Sequence, residues 1–221
     1  MQNSDKPQPA GGIFISFEGT EGTGKTTQAQ RLATTLRSAG YEVCETREPG
    51  GTVLGEELRR LVKHRYDGPP ATDIAELLLM AASRAQLVQE VIKPALAENK
   101  IVICDRFADS TTVYQGYGRG IDADFIQKLH AQTVGDYWPR LTLLLDLDLD
   151  QGLSRASVRA AGTGKTDRFE EEAKSFHQKI ERGFLALAAR EPERLRVVSA
   201  AGTEEEVHDR VMEEVQNVLT S

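Results

Sequence analysis

Residues 19–26 read Gly-Thr-Glu-Gly-Thr-Gly-Lys-Thr, and this stretch restricts the fold more than any other. Gly19, Gly24, Lys25 and Thr26 meet the spacing G-x-x-x-x-G-K-[ST]. Glycines in such a loop let backbone N–H groups curl round phosphate oxygens, the lysine reaches the β and γ oxygens of a nucleotide, and the hydroxyl is offered to Mg²⁺. The pattern has meaning only between a strand and a helix whose positive end faces the anion. Both flanks are present: Ile13 to Phe17 is a short apolar run, and Ala29, Leu32, Ala33 and Leu36 recur at helical spacing. Gly19, Thr20, Glu21, Gly22, Thr23, Gly24, Lys25, Thr26 and Thr27 are therefore expected to hold ATP.

A second Gly-Thr-Gly-Lys-Thr, at 162–166, serves as a control. The first glycine of its pattern would fall at Arg159, and no apolar strand precedes it. Without that context the same five letters read as flexible chain.

The alternation begun at the loop continues. Gly40 closes the first helix, and Tyr41 to Thr46 is extended. Residues 52–63 and 73–98 read as helices. Ile101 to Cys104 and Leu141 to Leu147 read as buried strands, Arg196 to Ser199 as a weaker one. A last helix shows Val207, Val211, Val215 and Val218 on one face. Strands separated by helices predict βαβ units with right-handed crossovers, an α/β fold with a parallel sheet covered on both faces. Ligands gather at the carboxyl ends of such strands, which places the turns after Phe17, Thr46 and Asp105 along one rim. Residues 1–12 read as a disordered leader before a single domain, 13–221. Within that domain a segment at about 154–168, carrying Arg155, Arg159, Lys165 and Arg168, reads as a mobile basic lid.

A net charge of −7 argues against broad nucleic-acid binding. No stretch approaches the roughly 20 apolar residues of a membrane span, and the opening residues lack the apolar centre of a signal peptide; the expected compartment is the cytoplasm. Cys44 and Cys104 sit inside apparent strands, where a thiol packs as a small hydrophobe. The four histidines, at 64, 130, 177 and 208, stand at no ligand spacing, so no transition metal is expected. Asp105-Arg106 at a strand end offers a carboxylate near a magnesium shell, beside Thr26, and a guanidinium for phosphate; the alternative is a carboxylate that caps the following segment. Arg47-Glu48-Pro49-Gly50-Gly51 needs only its Pro and glycines to turn, and its Arg and Glu suggest a site.

Four segments then fall into a familiar order: Phe17 to Thr27, Thr46-Arg-Glu-Pro-Gly-Gly-Thr52, Ala82-Ser-Arg-Ala-Gln86, and Asp105-Arg-Phe-Ala-Asp-Ser-Thr-Thr-Val-Tyr-Gln-Gly-Tyr-Gly-Arg-Gly120. Over residues 13–218 the chain resembles the bacterial thymidylate kinases. The resemblance implies a P-loop three-layer sandwich with a five-stranded parallel sheet and a small lid, a homodimer, and phosphoryl transfer from MgATP to dTMP. It implies that Arg47 and Arg106 clamp the acceptor phosphate, that Arg84 contacts thymine, and that Glu48, Ser110, Gln115 and Tyr117 line the same pocket. Glu21 is implied near the deoxyribose 3′-hydroxyl. Family members with an arginine in the loop would carry it at position 22; here it is Gly22, which leaves Arg155 or Arg159 of the lid as the catalytic arginine, with Lys25, Arg106 and Glu21. Met80 stands where the family usually stacks a phenylalanine on thymine.

Two other readings stay open at this point: a kinase for another nucleotide or deoxynucleoside, through the altered position 80, and a nucleotide-dependent switch protein using the same loop. The absence of an Asn-Lys-x-Asp motif and the grouping of Arg47, Arg84 and Arg106 speak for a second phosphorylated substrate.

Overall fold

The computed structural model describes residues 11–63, 69–163, 169 and 172–220. Most of the leader, His64, and Gly164 to Arg168, with most of the second glycine motif, lie outside them. Five parallel strands form one sheet in the order β2-β3-β1-β4-β5, with β1 Ile13–Glu18, β2 Val43–Arg47, β3 Ile101–Asp105, β4 Leu141–Asp146 and β5 Leu195–Ser199. Helix α1 (Lys25–Ser38) leaves the glycine loop, and α9 (Glu204–Leu219) closes the described chain behind a Thr203–Glu206 capping box.

Every residue of β1 is buried, as the central strand of a sheet covered on both faces requires. Its period of two divides the core. Ile13, Ile15 and Phe17 pack with Leu32, Leu36, Val207, Val211 and Val215 of α1 and α9, while Phe14 meets Val102, Leu87, Ile92 and Phe107 on the opposite face. The valines picked out by spacing in the last helix are thus the stripe that seats it. Cys104 is buried in β3 and Cys44 half-buried in β2, both as free thiols.

The long helix expected over 73–98 is one continuous helical run with a change of winding: α3 (Asp73–Leu87), a π-helical stretch at Val88–Ile92, and α4 (Lys93–Ala97). Helix α2 (Val53–Lys63) packs on α3. After β3 come α5 (Ala108–Thr111) and a second π-helical stretch, Thr112–Gly118, then α6 (Ala123–Thr133). The basic segment around Arg155 and Arg159 is helical, the latter part of α7 (Leu149–Thr163), which α8 (Lys174–Arg190) follows.

Candidate active site

In register, Phe17 pairs with Asp105 and Arg47 with Asp105, so β1, β3 and β2 end together on one rim, as the strand pattern predicts. The loop turns there on glycines in left-handed conformation, Gly22 at φ 73° and Gly24 at φ 87°. A Cβ on Gly22 would stand 1.9 Å from the carbonyl oxygen of Gly152, and one on Gly152 would stand 2.6 Å from that of Glu21. The first turns of α7 therefore rest directly on the loop, backbone to backbone, and any side chain at position 22 meets that helix.

Lys25, the first residue of α1, is buried. Its Nζ donates to the Thr20 carbonyl at 2.6 Å and to Thr23 Oγ1 at 3.3 Å. Burial, with the neighbouring positive charge of Arg106, lowers its pKa to about 8 despite Glu21, Asp105 and Glu18. Thr26 Oγ1 donates to the Asp105 carboxylate. These oxygen donors suit Mg²⁺, a hard cation commonly held by one or two carboxylates together with substrate phosphates. Among the described residues no cluster of three or more His, Cys, Asp or Glu side chains could hold a metal by itself.

Arg106 joins the loop to the next cavity. Its Nη1 donates to the Gly19 carbonyl at 3.0 Å and to Ser110 Oγ at 3.2 Å, its Nη2 to Glu21 Oε1 at 2.7 Å, and its guanidinium lies 5.2 Å from the centre of the Tyr114 ring. The same Glu21 oxygen accepts from the Tyr114 hydroxyl at 3.1 Å. Burial works against ionisation of Glu21, but Arg106, Lys25 and Lys63 outweigh it and bring its pKa down to about 2. Glu18, one residue before the loop, is wholly buried. Burial, reinforced by Asp109, pushes its carboxyl up to about 7, against the opposing effect of Arg106 and of its hydrogen bonds.

A pocket opens beyond Arg106, with Met80, Arg84, Arg106, Ser110, Tyr114 and Phe169 among its lining residues, together with Glu21, Glu48 and Gln115. Arg84 is 2 % exposed. It bonds Glu48 Oε2 at 2.9 Å through Nε and 2.7 Å through Nη2, and Thr111 Oγ1 at 2.8 Å; among the described residues its Nη1 and Glu48 Oε1 have no hydrogen-bond partner. Gln115 is held by its amide on Glu76 at 2.7 Å. The structure thus brings together Glu21, Glu48, Met80, Arg84, Arg106, Ser110 and Gln115 of the residues predicted from sequence.

It separates others. Tyr117 lines a different cavity, together with Trp138 and Arg190, and Tyr114, three residues earlier in the same π-helical stretch, is the tyrosine of the pocket. Arg47 is half exposed and ion-paired with Glu56 at 3.0 Å, lining an adjoining cleft with Thr26 and Asp105. Arg155 and Arg159 are exposed on α7, one helical turn apart and outside the pocket. The sequence reading passes over Glu18, Tyr114 and Phe169. A carboxylate placed directly after the largely apolar stretch Ile13 to Phe17 was the available signal for Glu18. Phe169 and Tyr114, with ring centres 5.7 Å apart, meet only through the fold.

A glycine loop at the rim of a five-stranded parallel sheet, joined through one arginine to a second polar pocket, defines a P-loop phosphotransferase with two substrate sites. The thymidylate kinase family profile matches residues 17–211. The chain is similar to the thymidylate kinases of Syntrophotalea carbinolica, 49 % identical over 94 % of this chain and 96 % of that protein, and Solidesulfovibrio magneticus, 48 % identical over 94 % and 100 %. The crystal structure of thymidylate kinase from Ehrlichia chaffeensis matches with a TM-score of 0.73 and 35 % identity, over 93 % of this chain and 99 % of that one. The chain belongs to the thymidylate kinase family.

Proposed function

We propose that the chain transfers the γ-phosphoryl group of ATP to dTMP, giving dTDP and ADP, with the residues of this one rim. The observation that carries the reading is Arg106, whose guanidinium bonds the phosphate loop at Gly19 and the pocket at Ser110 and Glu21. A group so placed faces the oxygens of both substrates.

The loop from Gly19 to Thr27 holds the ATP phosphates, with Lys25 turning its ammonium from the Thr20 carbonyl to the β and γ oxygens. Thr26 and Asp105 would hold Mg²⁺, which would supply charge neutralisation at the phosphates. The base enters the pocket against Met80 and Phe169, with Arg84 at its edge and Glu48 and Gln115 holding the frame. A thioether covers a base face but defines it less sharply than an aromatic ring; Phe169 compensates. Glu21, ionised and tied to Arg106 and Tyr114, stands ready for the 3′-hydroxyl. A phosphate monoester dianion is already nucleophilic, so positioning and charge neutralisation carry the catalysis. Arg47 reaches the acceptor phosphate by leaving Glu56, an exposed pair of little worth. Arg155 or Arg159 arrives on α7 as the lid shuts, which excludes water.

Exposed Val53, Leu54 and Leu61 of α2 and Ile74 and Leu78 of α3 form an apolar face suited to a homodimer, which sedimentation tests. A cytoplasmic enzyme of nucleotide synthesis fits a chain in which no described helix is long and apolar enough to cross a membrane. The functional test is ADP release with dTMP, dUMP, dCMP, dGMP and thymidine as acceptors. Preference for dTMP is expected; preference for thymidine would reject the reading.

A further inference from the structure

We propose that Glu18 is a positioning residue for phosphoryl transfer: its carboxylate holds the 106–110 turn in the one shape that stands Arg106 between loop and pocket. The inference rests on the function proposed above. Glu18 Oε1 accepts the backbone N–H of Phe107 at 2.8 Å and of Ser110 at 3.1 Å, and Oε2 accepts the Ser110 hydroxyl at 2.6 Å. All three donors flank Arg106, which sits at φ 68°. A non-glycine residue keeps that conformation only when its surroundings impose it. Here the surroundings grip both sides: the Arg106 N–H donates to the Phe17 carbonyl at 2.9 Å, and the next N–H goes to Glu18. The backbone of Arg106 is thus pinned by two successive residues of β1.

The hold extends to the side chain. Ser110 Oγ donates to Glu18 and accepts from Arg106 Nη1, so a relay of two hydrogen bonds links the buried carboxylate to the guanidinium. Direct pairing is weak by comparison, since Glu18 and Arg106 approach only to 4.0 Å. Glu18 therefore acts as an acceptor more than as a charge. The other buried carboxylate nearby does not compete for these donors, because Arg194 holds Asp109 at 2.7 and 2.8 Å.

Glu18→Ala, Glu18→Gln, Arg106→Ala and the double variant E18A/R106A would be compared in the full chain for kcat, KM for dTMP, and Kd for ATP. A displacement of about 1 Å costs on the order of 10²-fold in rate, so E18A is expected to lose about that in kcat/KM for dTMP while Kd for ATP holds within about twofold. E18Q keeps an acceptor for both backbone N–H groups and is expected to return to within about tenfold of wild type, since acceptor geometry rather than charge carries the effect. In the R106A background E18A should cost little more, because Glu18 works through Arg106. Equal losses for dTMP and ATP, or additive losses in the double variant, would overturn the inference as general destabilisation. If E18A does not fold, E18Q decides: a loss as large as that of R106A overturns it. A wild-type chain inert toward dTMP refutes the functional reading instead, before any variant is compared.

Discussion

Replacing Gly22 by Ala places two costs on one atom, and the fold supplies variants that separate them. Position 22 lies at φ 73°, where a Cβ costs about 1–2 kcal/mol. The added carbon would also sit 1.9 Å from the Gly152 oxygen, 2.7 Å from its carbonyl carbon and 3.0 Å from its Cα. Restoring ordinary contact means withdrawing α7 by roughly 1.5 Å, which breaks a tightly packed contact. Gly24→Ala carries the backbone cost alone, for its φ is 87° and nothing lies within 4 Å of its Cβ. Gly152→Ala carries the clash alone, 2.6 Å from the Glu21 oxygen, offset by about 1 kcal/mol of better helix propensity. At about 2–4 °C per kcal/mol for a chain of this size, Gly24→Ala should lower Tm by about 2–8 °C. Gly22→Ala should fall several degrees further and lose phosphoryl transfer by about 10²-fold as the loop shifts. Scanning calorimetry and steady-state assay on the three variants check this. Gly22→Ala no less stable than Gly24→Ala, with Gly152→Ala above wild type, would refute the docking of α7 on the loop.

Lys25→Ala should reduce kcat by about 10²-fold or more, the scale of a lost electrostatic donor at developing charge, measured by coupled ADP release. Glu48→Ala leaves Arg84 charged and buried without its carboxylate, a loss of about 3–5 kcal/mol visible in urea denaturation, whereas the exposed Arg47–Glu56 pair should yield less than about 1 kcal/mol to Glu56→Ala. The Glu18 carboxyl, raised from 4.5 to about 7, binds its proton more tightly in the folded state, so its contribution to stability is greatest below pH 4.5 and falls by about 3 kcal/mol as pH rises to 7. His130, lowered from 6.5 to about 3 chiefly by burial, acts oppositely over much of that range. The prediction is therefore a difference: E18Q gains on wild type from pH 4.5 to 7, read from paired melts. Equal slopes would contradict it.

The sheet, its rim and the phosphate loop were legible because each is local: apolar runs of strand length, a spaced glycine motif, and a helix with one apolar face. Asp105 and Arg106 were legible as strand-end residues. What escaped depends on winding and on distant partners. The resemblance put Tyr117 in the pocket, whereas the π-helical stretch Thr112–Gly118 brings Tyr114 there and Tyr117 to another cavity. Arg47 looked like part of a clamp, and only the fold brings Glu56 to it. Glu18 ended an apolar run and so read as its boundary, although its value lies in donors at 107 and 110. The basic segment before residue 163 is the latter part of α7, which buries Ala156 and leaves Arg155 and Arg159 exposed.

The most direct measurement follows the phosphorus itself. With ATP labelled at the γ position and dTMP in a single turnover, wild-type enzyme should place the label on dTDP, while Arg106→Ala does so at least about 10²-fold more slowly with ATP binding retained. Label released as inorganic phosphate, or a wild-type rate in Arg106→Ala, would contradict an acceptor phosphate held beside the loop by that residue.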